Sequence, residues 1–102
     1  MIKHSLYVRL EAKPGKEEEV AAFLQAGLSM AREEATTPIW FALRLAPGTF
    51  AVFDAFHDQQ GVDNHLGGPI AKALMAKADE LFAQPPSIQR VEVLGLKNDG
   101  ST

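Results

Sequence analysis

The chain has 102 residues, of which 46% are hydrophobic and 23% are charged, and its formal net charge is -3. These values are typical of a single globular domain, and basic residues do not cluster, which argues against nucleic acid or a membrane surface as a partner. The absence of cysteine excludes disulfides, thiol nucleophiles and thiolate metal sites. A strand pattern begins directly after the first residues, without an apolar signal region, so we expect a cytoplasmic protein.

The first third of the chain predicts a strand followed by a helix. Polar and apolar residues alternate over residues 2 to 12, as in a strand with one buried face. Three acids at residues 17 to 19 then favour a helix N-terminus, where the helix dipole is positive. Apolar residues recur at helical spacing up to a predicted stop near Thr36, because Pro38 follows.

The middle of the chain predicts a hairpin of two strands. Residues 39 to 46 are rich in aromatic and branched side chains, which favours a strand. Pro47 and Gly48 are typical turn residues, and residues 50 to 57 form the third predicted strand. In the second strand, Ile39, Phe41, Leu43 and Leu45 are predicted to share one face, and Trp40, Ala42 and Arg44 the other.

The last part of the chain predicts a helix and a final strand. A short turn-rich segment that contains His65 leads to Pro69, which suits the first turn of a helix that runs to about Phe82. Residues 88 to 96 form the fourth predicted strand. We therefore expect one domain over residues 1 to 97 and a flexible tail over residues 98 to 102.

The order strand, helix, strand, strand, helix, strand predicts a ferredoxin-like α+β fold, with an antiparallel four-stranded sheet and two helices on one face. The other sheet face would carry Tyr7, Arg9, Trp40 and Arg44. Aromatic residues and Arg are enriched at protein interfaces, so we expect a homodimer that forms through this open face. The predicted core residues are Leu6, Val8, Leu10, Val20, Phe23, Leu24, Leu43, Leu74 and Leu81.

Asp54 and His65 are the ionisable residues most clearly associated with a possible site. Asp54 interrupts an apolar strand, and a buried carboxylate is unfavourable unless it is paired. It is either a base, or an acceptor that orients His65 or a substrate hydroxyl, or a structural acceptor for a backbone amide or Arg44. His65 is either a general base or a loop histidine that hydrogen-bonds the backbone near the next helix.

The segment FDAFHDQQGVDNHLGGP, residues 53 to 69, resembles the signature region of the antibiotic biosynthesis monooxygenase-like family. Asp54 stands where that family usually has Glu, Phe56 where it usually has Trp, and His65 at its His. The order of the elements also matches over residues 2 to 97. The resemblance implies a dimeric α+β barrel and several activities, among them cofactor-independent oxygenation of polycyclic phenols, quinol oxygenation and haem degradation.

Haem degradation is the activity that the sequence disfavours. The resemblance implies an Asn at the position of Val8, a Trp at the position of His65, and an axial His near Met75 or Ala76. All three are missing from this chain. We therefore expect no cofactor, and we expect no metal site because no two histidines lie at ligand spacing.

These observations favour a monooxygenase that needs no cofactor and acts on a small aromatic, phenolic or quinol-like molecule. In this hypothesis His65 is the base and Asp54 orients it. Two alternatives stay open: a small-molecule-binding or structural dimer without catalysis, and an isomerase or cyclase on the same fold. The candidate substrate-binding residues are Trp40, Phe41, Phe56 and Tyr7 as walls and Arg44 as a ligand for a carbonyl or an anionic oxygen intermediate, although packing and ion pairing would also account for them.

Overall fold

The structure is a computed structural model, and it describes residues 2 to 97. The elements are β1 (His4–Glu11), α1 (Glu17–Arg32), β2 (Ile39–Ala46), β3 (Thr49–Phe56), α2 (Gln59–Leu66), α3 (Pro69–Leu81) and β4 (Ser87–Glu92). The four strands form one antiparallel sheet in the order β2-β3-β1-β4, with helices packed against one face. The predicted ferredoxin-like α+β fold is confirmed, while the predicted tail at residues 98 to 102 lies outside the described residues.

The segment that the sequence predicts to be a turn is the short helix α2. Its N-cap is Asp58, whose Oδ1 accepts a hydrogen bond from the backbone N–H of Gly61 at 2.9 Å. Such a cap satisfies one of the N–H groups that a helix start leaves without a partner. Gly61, Val62 and His65 are the buried residues of α2. The prediction missed this helix because only eight residues, with a glycine among them, carry its periodicity.

Two other boundaries differ from the sequence prediction. Helix α1 ends at Arg32 rather than near Thr36, so residues 33 to 38 form a loop between α1 and β2. Strand β4 ends at Glu92, and residues 93 to 97 have no regular secondary structure. No helix within residues 2 to 97 is long and apolar enough to cross a membrane.

The main core lies between the helices and the sheet. Seven of the nine predicted core residues are buried, and Phe23 is half-buried. Leu43 is 36% exposed, so its assignment to the core is wrong. It pairs with Ala51 on the sheet face that the helices do not cover. Branched and aromatic residues occur on both faces of β2, so hydrophobicity alone did not identify the buried face.

Strand register corrects the predicted face of Trp40 and Arg44. Trp40 pairs with Asp54, which pairs with Leu6, so these three side chains lie on the helix face. Arg44 also lies on that side, where its Nη2 is 3.2 Å from Glu18 Oε2 in α1. The prediction that Trp40 and Arg44 share the open face with Tyr7 is therefore wrong. The register of β2 with β3, rather than the apolar pattern within β2, decides which alternate residues of β2 face the helices.

Candidate functional site

An apolar cavity of about 110 Å³ lies between the sheet and helices α1 and α3. The sheet supplies the floor, and side chains of the two helices supply the walls. Asp54 of β3 and His65 of α2 also line this cavity, so the two candidate residues share it. Other lining residues include Val8, Phe23, Met30, Trp40, Leu74 and Ile88.

The connection from β3 to α2 brings Asp54 and His65 together. The Asp58 cap starts α2 two residues after β3 ends, and the helix returns over the sheet. Gly61 permits this close approach, because a Cβ atom there would lie 3.0 Å from Thr36 O and 3.2 Å from Phe56 Cβ. As a result His65, in the last turn of α2, has its Nε2 at 2.9 Å from Asp54 Oδ2.

A third residue, Glu34, completes the cluster. Its Oε1 lies 2.7 Å from His65 Nδ1 and accepts a hydrogen bond from Thr37 Oγ1 at 2.8 Å. Glu34 comes from the α1–β2 loop, in the stretch that the sequence predicts to belong to α1. Sequence reasoning missed it because Glu34 looks like any other acid near a helix end, and no motif links it to His65.

The two carboxylates determine the protonation state of His65. Both ring nitrogens face a carboxylate oxygen, and only the imidazolium has an N–H on each nitrogen. Burial, the largest single influence, lowers the pKa of His65, but the contacts with Asp54 and Glu34 together raise it by more. The net result raises the pKa of His65 from 6.5 to about 8. The imidazole is therefore mainly protonated at neutral pH.

Four buried polar atoms around the cluster have no hydrogen-bond partner within residues 2 to 97. They are both oxygens of Asp54, Glu34 Oε2 and Trp40 Nε1. Of these, Asp54 Oδ2 lies 2.9 Å from His65 Nε2 as an ion pair. Asp54 is fully buried, and its contact with His65 is an ion pair that leaves Oδ1 without a partner in the described part of the chain. A buried acceptor without a partner is unfavourable, so Oδ1 is the natural acceptor for a hydroxyl group in the cavity.

The remaining candidate residues are divided between the cavity and other places. Trp40 lines the cavity, and buried Phe56 packs against the His65 ring with centroids 5.5 Å apart. Arg44 does not line it, since its guanidinium lies 4.8 Å from the Phe50 ring centroid and pairs with Glu18. Tyr7 and Phe41 do not line it either, because their strand register puts them on the open face.

The cluster does not have the arrangement of a metal site. Within residues 2 to 97, no group of three or more His, Cys, Asp or Glu side chains could hold a metal ion. His65 lies between Asp54 and Glu34 and uses one ring nitrogen for each, so the three side chains do not converge on a common point. The same contacts suit a proton-transfer site, because the two carboxylates keep the His65 imidazole protonated.

The fold and sequence closely match a protein of known structure. NE2512, a protein of unknown function from Nitrosomonas europaea, is 50% identical to this chain. The match covers 99% of this chain and 98% of NE2512, with a TM-score of 0.95. The chain belongs to the same family as NE2512. No family model and no curated protein matches it.

More distant structures relate the NE2512 family to other proteins of the same fold. Rv0793 from Mycobacterium tuberculosis is 19% identical, with 97% of this chain and 99% of Rv0793 covered and a TM-score of 0.76. A protein named antibiotic biosynthesis monooxygenase is 14% identical, with 90% of this chain and 99% of that chain covered and a TM-score of 0.76. The predicted resemblance to antibiotic biosynthesis monooxygenase-like proteins is therefore confirmed as a shared fold.

Proposed function

We propose that this member of the NE2512 family is a cofactor-independent monooxygenase that acts on a small phenolic or quinol-like molecule in the cavity. One observation carries the proposal: the fully buried Asp54 carboxylate lies beside His65 at the polar end of an apolar cavity. Burial of charged groups is costly and is typical of sites that move protons. The fold shared with a protein named antibiotic biosynthesis monooxygenase supports the same class of reaction.

The geometry favours a division of roles that differs from the sequence hypothesis. His65 has a carboxylate at each ring nitrogen, so neither nitrogen is free to accept a proton from a substrate. Asp54 Oδ1 has no partner among the described residues and is the better acceptor. We therefore assign Asp54 as the base and His65 as the residue that positions its carboxylate, with Glu34 fixing the imidazolium through Nδ1.

In the proposed reaction the substrate supplies the electrons. Asp54 takes the proton of a phenolic hydroxyl, and the phenolate transfers one electron to dioxygen. The resulting radical and superoxide combine to form a carbon–oxygen bond, which gives a hydroperoxide after protonation. Loss of water then breaks the O–O bond and removes the proton from that carbon, leaving a carbonyl group. The sum is phenol and dioxygen to quinone and water, and the protein contributes deprotonation and positioning.

The proposal is tested by oxygen uptake with one-ring phenols and hydroquinones. We expect uptake that depends on protein, with one dioxygen consumed for each quinone formed from a phenol. Addition of a metal chelator should leave the rate unchanged. An absence of uptake with every phenol, although the same phenols bind in the cavity, would favour the alternative of a binding protein without catalysis.

An isomerase or cyclase remains the second candidate, because the Asp54–His65 pair would also serve a proton transfer that uses no oxygen. The two candidates differ in their requirement for dioxygen. An oxygenase stops when dioxygen is removed, whereas an isomerase continues at the same rate. Proton exchange between a ring position of the substrate and solvent, followed by NMR under argon, would reveal the second activity.

We also propose that the protein forms a homodimer through the open sheet face. The corrected register gives this face Tyr7, Phe41 and Phe53, and Phe41 is 55% exposed. A groove of about 330 Å³ continues this apolar surface towards Ile39 and Leu96. A contiguous exposed apolar surface typically marks an interaction site, and a second copy of the same face would cover it.

A further inference from the structure

Two buried polar atoms at the cavity, one donor and one acceptor, have neither a hydrogen bond nor an ion pair within residues 2 to 97. Trp40 Nε1 and Asp54 Oδ1 are both shielded from solvent, and neither forms a hydrogen bond with another residue in the described part of the chain. Trp40 and Asp54 both line the cavity. Buried polar groups in folded proteins nearly always have a partner, so two of them at one cavity indicate the polar groups that a ligand would supply.

Strand pairing makes these two residues neighbours. Trp40 of β2 is directly opposite Asp54 of β3, so their Cβ atoms are about 4.5–5.5 Å apart on the same face. One small molecule can therefore contact both side chains. An indole N–H only donates and a carboxylate oxygen only accepts, so the ligand must offer an acceptor oxygen to Trp40 and a hydroxyl to Asp54.

The rest of the cavity limits the size and polarity of the ligand. Apart from Asp54, His65 and the indole nitrogen, the lining side chains are hydrocarbon, glycine or methionine. An apolar cavity of about 150 Å³ is enough for benzene, and this one is about 110 Å³. The side near α1 has little spare space, because a Cβ atom on Gly27 would lie 3.3 Å from Trp40 Cη2. A cavity of this size suits at most a single ring, and a fused polycyclic phenol would not fit within it.

We infer that the ligand of this cavity is a one-ring compound with two oxygens on adjacent carbons, of the catechol type. One hydroxyl donates to Asp54 Oδ1, and the neighbouring oxygen accepts from Trp40 Nε1. Trp40 is then a specificity-determining residue, which selects for the second oxygen, while Asp54 binds the first. This inference rests on the site of the proposed function and narrows its substrate class.

The first test uses the fact that the chain has a single tryptophan. Its indole N–H gives one signal in a proton–nitrogen NMR spectrum. We expect catechol to shift this signal downfield and to slow its exchange with solvent deuterium. Toluene should fill the cavity without slowing that exchange, because it has no acceptor oxygen. An indole N–H that exchanges equally fast with catechol and with toluene overturns the inference.

The second test compares affinities in variants. We expect catechol to bind about tenfold more tightly than phenol, which lacks the second oxygen, and more tightly than hydroquinone, whose oxygens are on opposite carbons. Trp40→Phe keeps a ring but removes the donor, so the preference for catechol over phenol should fall to about twofold or less. Tyr7→Phe is the matched control on the opposite sheet face and should keep the full preference.

The outcomes separate this inference from the proposed reaction. Catechol binding that depends on Trp40, without oxygen uptake with any phenol, supports the ligand class and overturns the monooxygenase proposal. Oxygen uptake with an unchanged preference for catechol in Trp40→Phe supports the reaction and overturns the role of Trp40. If Trp40→Phe does not fold, by its circular dichroism spectrum, the indole signal of the unmodified protein decides.

Discussion

Each face of the sheet carries side chains that are unusual for their environment. On the helix face, Asp54 is fully buried and His65 is 6% exposed. On the open face, Phe41 is 55% exposed and Leu43 is 36% exposed. Stability alone would favour the opposite arrangement, with the charged side chains exposed and the aromatic side chains buried. Buried charge is unfavourable, and exposed aromatic surface promotes association. Each departure fits one of the two proposed binding events, that of a small molecule on one face and that of a second copy of the chain on the other.

The largest expected effect is a difference in the loss of stability when a leucine is truncated on the helix side or on the open face. Leu24→Ala removes a buried side chain between α1 and the sheet and should lower the free energy of unfolding by about 2–5 kcal/mol. Leu43→Ala on the open face is the matched control and should cost less than about 1 kcal/mol in the monomer. Urea denaturation measures both at low protein concentration. Equal losses in the two variants would mean that the face assignment is wrong.

The second expected effect concerns the buried charge. Asp54→Asn keeps the side-chain shape but removes the base, so oxygen-dependent turnover of a phenol should fall by about 100-fold or more. Asp79→Asn, on the exposed side of α3, is the control and should leave turnover unchanged. Oxygen-electrode rates at saturating substrate give the comparison. Unchanged turnover in Asp54→Asn would leave Asp54 with only a structural role.

The third expected effect is a pH dependence of stability that arises from His65, on the helix side of the sheet. The pKa of His65 is raised to about 8 from 6.5, so the folded state binds the extra proton more tightly than the unfolded state. The resulting stability of about 2 kcal/mol is fully present below pH 6.5 and is lost as pH rises through 8.

Glu34→Gln tests the origin of this pH dependence by comparison with the unmodified protein. It removes one of the two carboxylates, so the pKa of His65 should fall and the loss of stability should begin at lower pH. Thermal denaturation between pH 6 and 9 measures both proteins. Identical curves for the two would show that Glu34 does not stabilise the imidazolium.

The fourth expected effect tests the open face. Phe41→Glu puts a charge at the centre of the proposed dimer interface and should raise the dimer dissociation constant by about 30-fold, the usual effect of losing an aromatic anchor. Sedimentation velocity over a range of concentrations measures it. Met75→Glu, on the exposed side of α3, is the control. A dimer that Met75→Glu weakens and Phe41→Glu does not would form through the helices.

The sequence allowed most of the fold and part of the site to be predicted. Alternation in β1, the acids that begin α1 and Pro69 at the start of α3 are local signals, and they predict the element order correctly except for α2. Helix α2 was missed because it has only eight residues and is stabilised largely by Asp58 and by contacts around Gly61. Local patterns do not contain such contacts.

The site, too, depends on long-range contacts that local sequence patterns do not reveal. Asp54 and His65 lie 11 positions apart around a strand end, so their proximity was a reasonable expectation. Glu34 lies 31 positions before His65 in a loop, and only the packing of that loop against α2 brings it to the imidazole. The sequence pattern puts Trp40 and Arg44 on the open face because β2 has apolar residues on both faces, and only the register of β2 with β3 shows which face the helices cover.

The origin of the site in separate elements has a consequence for how its specificity can change. Asp54 and His65 belong to one continuous strand–helix unit, whereas most of the apolar wall comes from α1 and α3. Substitutions at wall positions such as Met30 or Ile70 would alter the shape of the cavity without contact with the acid–imidazole pair. If the proposed site binds a ligand there, exchange of wall residues would change which molecules fit while the Asp54–His65 pair stays constant.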